Sequence, residues 1–333
     1  MILASSKAGQ GPRWQRVLAQ ATRSIAELAG ELQLDPNALS AAADADFPVR
    51  VPEPYLRRIR PGDPQDPLLL QVLPQLAETL DSPGFVTDPL DEAHATPIPG
   101  MLHKYRSRVL LILSAACAVH CRYCFRRHFP YETHQTGGQV SPAILNYLRA
   151  HPEVDEVILS GGDPLTLSDR AIAAWVDALE ELAQVRRLRI HTRLPIVLPE
   201  RVTPTLAATF EATRLQTVLV VHANHPQELD SQVADAMNAL VQANVKLFNQ
   251  SVLLRGVNDQ VDVLADLSEE LFRIGVQPYY LHLLDPVAGA AHFQVGEEQA
   301  AHLYDALRAR LSGYLVPTLV RETPGAPAKT PVR

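Results

Sequence analysis

Three cysteines, Cys117, Cys121 and Cys124, lie within one short stretch in a C-x3-C-x2-C spacing, and the other residues of the 333-residue chain include no cysteine. Three thiolates on one loop can hold three corners of a 4Fe-4S cube, which leaves the fourth iron without a protein ligand. An iron left open is a reaction site. Zinc is the rival, but structural zinc is closed by four ligands, and a fourth from His120 would require an awkward backward reach. Three buried, inert thiols are a blander alternative, since free cysteine is common in cores. That alternative does not explain why the rest of the chain lacks cysteine.

From Arg108 onward, apolar β-branched runs alternate with amphipathic segments of helix length, the pattern of a parallel sheet built from βα units. The runs predict strands near 108–115, 156–160, 187–191, 217–222, 246–253 and 277–284. Helices are predicted near 140–150, 168–183, 200–212, 228–243, 260–274 and 296–311. Six βα units predict an α/β fold, a partial (βα)6 TIM-like barrel. Residues 1–103 read as a helical and loop-rich extension. Apolar spacing from Trp14 to Leu32 is helical, and Asp35-Pro36 supplies an acidic cap and a first-turn proline for another helix. Pro48, Pro52, Pro54, Pro61, Pro64 and Pro67 then prevent any long regular element. The expected organisation is an extension over 1–103, the barrel over 104–318 and a C-terminal segment over 319–333.

In barrels of parallel strands, catalytic groups gather at the C-terminal strand ends. Here the cysteines follow the first strand, Gly161-Gly162-Asp163 the second, and His191 and Arg193 the third. His222, Asn224 and His225 follow the fourth, Gln250 lies within the fifth, and Asp285 follows the sixth. These polar groups are expected to face one cavity.

Hydrophobic content of 47% with 20% charged residues is that of an ordinary globular protein. The net charge of -7 opposes nonspecific nucleic-acid binding, which needs a basic face. Small metabolites are the expected ligands. The apolar run at Met1 to Lys7 is too short for a signal peptide, and no uninterrupted apolar stretch reaches membrane length. A cytoplasmic location without membrane attachment is therefore expected.

The cysteine loop, with Tyr123 before its last cysteine, resembles that of radical S-adenosylmethionine (SAM) enzymes. Further motifs in order are Lys104-Tyr-Arg-Ser-Arg-Val-Leu, Cys124-Phe-Arg-Arg-His, Ser160-Gly-Gly-Asp163, Asn249-Gln-Ser-Val-Leu-Leu-Arg-Gly-Val-Asn-Asp259 and Lys329-Thr-Pro. Together they resemble the lysine 2,3-aminomutase family, from about Phe47 to the C-terminus. The resemblance implies an isomerase with the radical SAM type of partial barrel and a short C-terminal tail carrying a pyridoxal phosphate (PLP) lysine. Such enzymes move the α-amino group of L-lysine to the β-carbon, using a 4Fe-4S cluster, SAM as radical source and PLP as carrier. The chain looks closest to the short bacterial branch, without a long C-terminal extension, that makes (R)-β-lysine for elongation factor P. A separate ligase attaches that product, and a reducing electron donor is implied.

Site roles follow from the same resemblance. Lys329 matches the Schiff-base lysine, although Ala326, Pro327 and Ala328 replace a more glycine-rich loop. Burial beside the cofactor would leave such an amine neutral and nucleophilic. Lys104, Tyr105 and Arg108 match the positions around the PLP phosphate, with Arg122 expected close to PLP. His282 stands where the family has a tyrosine near PLP. Gly161, Gly162 and Asp163 are expected to receive the methionine part of SAM, glycine allowing close backbone approach and Asp163 facing the ammonium. His222 and Gln250 are expected to help hold SAM, with Arg193 near it. Arg126 resembles the anchor of the substrate carboxylate, while Asp285 and Glu322 match two aspartates that grip the ε-ammonium.

Most of these residues also have ordinary readings: Gly-Gly-Asp-Pro is a good turn, a strand-end histidine is often structural, and a lysine near the terminus is usually solvated. An aminomutase acting on arginine or glutamate would share the cofactor sites, but glutamate would oppose Asp285 and Glu322 with its own carboxylate. A non-catalytic iron-sulfur sensor or electron carrier would need neither Lys329 nor a phosphate site.

Overall fold

The structure, a computed structural model, describes residues 11–35, 40–92, 95–132 and 134–332. Nine strands form one sheet in sequence order: β1 (Met101–Tyr105), β2 (Arg108–Ser114), β3 (Glu156–Gly161), β4 (Arg187–Thr192), β5 (Gln216–Val221), β6 (Lys246–Val252), β7 (Gln277–His282), β8 (Thr318–Arg321) and β9 (Thr330–Pro331). Strands β2 to β8 are parallel, and β1 and β9 run antiparallel at the two edges. The order is linear, so the barrel stays open.

Helices Pro142–Ala150, Asp169–Glu180, Pro204–Ala212, Ser231–Gln242, Val261–Arg273 and Glu297–Arg310 connect the parallel strands. Ser141, Ser168, Thr203 and Asp230 start the first four by accepting from a backbone N–H three residues on. Side chains alternate across the strands. Val157 and Leu159 of β3, Leu188 and Ile190 of β4, and Leu219 and Val221 of β5 join the core that includes helix residues such as Trp175. Ile158, Ser160, Arg189, His191, Gln250 and His282 fall on the other phase and line an interior cavity.

All six predicted strands and six predicted helices are present, with ends shifted by a few residues. β1, β8 and β9 escape sequence reading because they are short pieces with little alternation. The helical spacing from Trp14 to Leu32 divides into Arg13–Ala19 and Ile25–Leu32, because Ser24 caps a new start by accepting from Glu27 N at 3.1 Å. Pro36 to Leu39, where another helix start was expected, lie outside the described residues; Ala41–Asp46 follows them. The expected divisions after 103 and 318 fall within β1 and β8, so the extension and the tail supply the edges of the same sheet. Among the described residues no helix is long and apolar enough to cross a membrane.

Candidate active site in the barrel interior

The cysteine loop leaves β2 and is clamped by the N-terminal extension. His120 N donates to Arg50 O at 3.0 Å, and Arg122 N donates to Gln71 O at 2.9 Å. The Arg122 guanidinium is fully buried and donates to both Glu78 oxygens, to Ala43 O and to Phe47 O. Arg127 shares the same carboxylate at 3.1 Å. This corrects the expected place of Arg122 beside PLP. A buried guanidinium needs an anion, and Glu78 draws it away from the cavity into the extension.

Gly161 and Gly162 let the base of that loop lie on the end of β3. With φ +128° at Gly161, an added Cβ would stand 2.5 Å from Ser114 O, and one at Gly162 would stand 2.6 Å from Ala116 O. The close approach is therefore to the protein's own backbone: Gly162 N donates to Ser114 O at 2.7 Å and Asp163 N to Ala116 O at 2.8 Å. Asp163, expected to face an ammonium, instead accepts from the Thr192 hydroxyl and from the backbone N–H of Leu165, Arg193 and Leu194. Four internal donors make it a brace between β3 and β4. Burial raises its pKa to about 6 against those hydrogen bonds.

A cavity of about 580 Å3 opens beneath the cysteine loop, and all three cysteines line it. It extends to Arg108 at the far end of β2, roughly 20 Å along the strand at the usual rise per residue. The cavity thus occupies the barrel's interior and reaches well below its C-terminal rim. Burial and neighbouring thiols push Cys117 well up and Cys124 up to about 11, so the loop favours a cationic partner that would stabilise thiolates. Among the described residues no three His, Cys, Asp or Glu side chains close around a single ion, as structural zinc requires. A cluster makes no such demand, since each thiolate binds a different iron.

Lower in the cavity, Lys329 Nζ stands 2.5 Å from Glu322 Oε2, and Tyr105 donates its hydroxyl to Glu322 Oε1 at 2.6 Å. Burial opposes the charge on Glu322, yet Lys329 and Tyr105 hold its pKa below the ordinary value. The Arg108 guanidinium lies 4.0 Å over the Tyr105 ring and has no carboxylate partner among the described residues, leaving its charge for an incoming anion. Asp285 lines the same space, and burial raises it to about 7 against the pull of Lys329.

Histidines 191, 222 and 282 also face the cavity. Burial lowers all three, His222 to about 3, so each imidazole is neutral. Nε2 of His191 and Nε2 of His282 are buried without a hydrogen-bond partner. Buried polar atoms are normally satisfied, and two orphans facing one cavity, from β4 and β7, fit a polar ligand there. Gln250 lies beside His222 on the same interior, whereas Asn224 and His225 turn into hydrogen bonds with the Glu228 segment.

One participant left no sequence signal. Glu92, 4% exposed, accepts from Arg126 Nε at 2.7 Å and Arg126 Nη2 at 2.9 Å, with Lys104 Nζ 3.4 Å away. It lies in an irregular loop, where neither periodicity nor a motif marks it. Arg126 also donates to Ser160 Oγ at 3.2 Å, so its orientation is set from two sides.

Residues 111–267 match the Radical SAM superfamily. The chain is 50% identical over 291 residues to an L-lysine 2,3-aminomutase of Haemophilus influenzae, covering 87% of this chain and 86% of that protein. It is 50% identical over 286 residues to the L-lysine 2,3-aminomutase of Escherichia coli, covering 86% and 83%. With that of Clostridium subterminale it shares 39% identity over 280 residues, covering 84% and 67%. A radical SAM methyltransferase structure from Sphaerobacter thermophilus aligns with a TM-score of 0.49 and 19% identity, over 66% of this chain and 68% of that one. Identity of this extent over nearly the whole chain, with three cysteines and a tail lysine on one cavity, shows that the chain is an isomerase belonging to the lysine 2,3-aminomutase family of radical SAM enzymes.

Proposed function

We propose that this protein converts L-α-lysine into (R)-β-lysine. The observation that carries the proposal is that the cysteine thiols, Lys329, Asp285 and Glu322 line one cavity. Cys117, Cys121 and Cys124 hold the 4Fe-4S cluster and leave one iron for SAM. When bound, SAM supplies a 5'-deoxyadenosyl radical and PLP a π-system that lets the amino group migrate.

The chain's own residues bind, orient and shield. Lys329 provides the amine that carries PLP, Lys104, Tyr105 and Arg108 provide donors for its phosphate, and neutral His282 flanks it. His222 and Gln250 flank SAM below the cysteine loop. Gly161, Gly162 and Asp163 shape that end of the site by fixing the backbone, and Arg193 reaches it from the end of β4. Arg126, aimed by Glu92, takes the substrate carboxylate. Asp285 and Glu322 share the three protons of the ε-ammonium. Ordered walls around the cavity keep water from the radical steps.

Glutamate as substrate would set its own side-chain carboxylate against Asp285 and Glu322, which disfavours it. Arginine would bring a planar guanidinium in place of a compact ammonium. The product serves elongation factor P in the cytoplasm, attached there by a separate ligase. Support for that role is the resemblance of the motifs to those of the short bacterial branch.

Anaerobic incubation with L-lysine, SAM, PLP and a low-potential reductant, followed by chiral product analysis, tests the proposal. The expected product is (R)-β-lysine. Protein loaded with cluster and PLP that forms no β-lysine, or prefers arginine, overturns it.

A further inference from the structure

We propose that Arg193 sets the reduction potential of the cluster by donating a charge-assisted hydrogen bond to the sulfur of Cys121. The proposal rests on the assignment of the cluster to the three cysteines. Arg193 follows β4 and directs Nη1 at Cys121 Sγ, 2.7 Å away. Its other terminal nitrogen, Nη2, is held by Gln71 Oε1 at 2.7 Å, Glu228 Oε2 at 2.9 Å and Tyr55 Oη at 3.4 Å. The two protons of Nη2 are taken by Gln71 and Glu228, from separate segments, with Tyr55 at the edge of reach, which fixes the plane of the guanidinium and so the aim of Nη1.

The supports are themselves immobilised. Gln71 and Glu228 are fully buried, and Glu228 Oε1 accepts from Asn224 N at 2.8 Å. Asn224 Nδ2 donates to Gln71 Oε1 at 3.0 Å and to Tyr123 Oη at 2.7 Å, returning the network to the cysteine loop. Among the described residues, Cys121 is the one cysteine that accepts a side-chain hydrogen bond. Cys124 accepts from the backbone of Arg126, so Cys121 is the corner that carries a charged donor.

Electrostatics gives the direction. Reduction adds one electron, and so one negative charge, to the cluster; the electron comes from an external low-potential donor and no proton is transferred. A cation with an N–H on a ligand sulfur stabilises the more negative form, which raises the potential. Arginine is suited because it stays charged at every working pH. Glu228 offsets part of that charge, but it sits on Nη2, while the proton of Nη1 is nearest the sulfur. In a buried site the nearer charge is weakly screened.

The test is a potentiometric titration of anaerobically reconstituted protein without SAM, followed by the electron paramagnetic resonance (EPR) of the reduced cluster before and after SAM is titrated in. Iron and sulfide are counted for each variant. Arg193→Gln, with the iron content of the parent, is expected to be harder to reduce: at the parent's midpoint its reduced-to-oxidised ratio falls about tenfold, the scale of one charged hydrogen bond. Arg193→Lys, which keeps the charge but loses the fork, is expected to lie between them. If Arg193→Gln does not retain iron, the comparison of Arg193→Lys with the parent decides. A midpoint unchanged in an iron-replete variant overturns the proposal. So does a variant whose only change is weaker SAM binding, which would place Arg193 on SAM instead. A parent protein that takes up no iron refutes the cluster assignment itself, a result distinct from either.

Discussion

Lys329 Nζ and Glu322 Oε2 form an ion pair at 2.5 Å, although the two residues approach from opposite arms of the β8–β9 turn. The longer reach of glutamate compared with aspartate lets one carboxylate touch both Lys329 and Tyr105. The two groups expected to serve PLP and the group expected to serve the substrate's ammonium are thus already in contact. Binding of cofactor and substrate must exchange these partners.

Lys329→Ala should lose covalently bound PLP while keeping the full iron content, because the lysine and the cysteines stand at opposite ends of the cavity. Borohydride reduction and peptide mapping of the parent should place PLP on Lys329. PLP fixed to another lysine would mean that the tail plays a different part.

Replacing one cysteine should leave too few ligands for the cube. Cys124→Ala is expected to lose the cluster EPR signal and the change that SAM produces in it. An iron-replete variant with an intact SAM response would remove Cys124 from the ligand set.

Asp285→Asn should lower kcat/KM for L-lysine by roughly ten- to a hundredfold, the cost of about 1.5–3 kcal/mol for losing a charged hydrogen-bond partner. Norleucine, which has no ammonium, should be nearly unaffected. Equal losses for both substrates would make Asp285 a structural residue.

Burial raises Asp285 to about 7, against the pull of Lys329. Below that pH it is neutral in the empty site, while the ammonium of lysine remains charged. KM for lysine should therefore climb as pH falls below about 7, approaching tenfold per pH unit, and Asp285→Asn should flatten the profile. The stability effect has a definite sign. A carboxyl raised on folding costs stability as pH rises from its unfolded value through its folded one, with the full cost above about 7. Ligand-free Asp285→Asn should thus melt higher than the parent at pH 8 but not at pH 3.

The side chains of Glu78, Arg122 and Arg127 are at most 1% exposed. Glu78→Gln would leave two buried guanidinium groups without their shared carboxylate, a loss on the order of 3–5 kcal/mol. Urea denaturation should show it, together with faster loss of iron. An unchanged midpoint would mean that the extension does not clamp the cysteine loop.

Local chemistry determined much of this protein from sequence alone. Period-two and helical apolar patterns marked six strands and six helices, because burial on one face acts on every turn and every pleat. The cysteine spacing fell on a single loop, so bringing the three thiols together needed no long-range information. Burial and partner choice required the tertiary structure. Arg122 lies inside the motif but turns to Glu78, 44 residues earlier in the chain. Asp163 belongs to a motif, yet donors at the end of β4 fix how its carboxylate is held. Glu92 carries no motif at all and becomes the counter-ion of Arg126. Buried charges take whichever opposite charge or donor the fold brings within reach, and a pairing across dozens of residues leaves no period in the sequence.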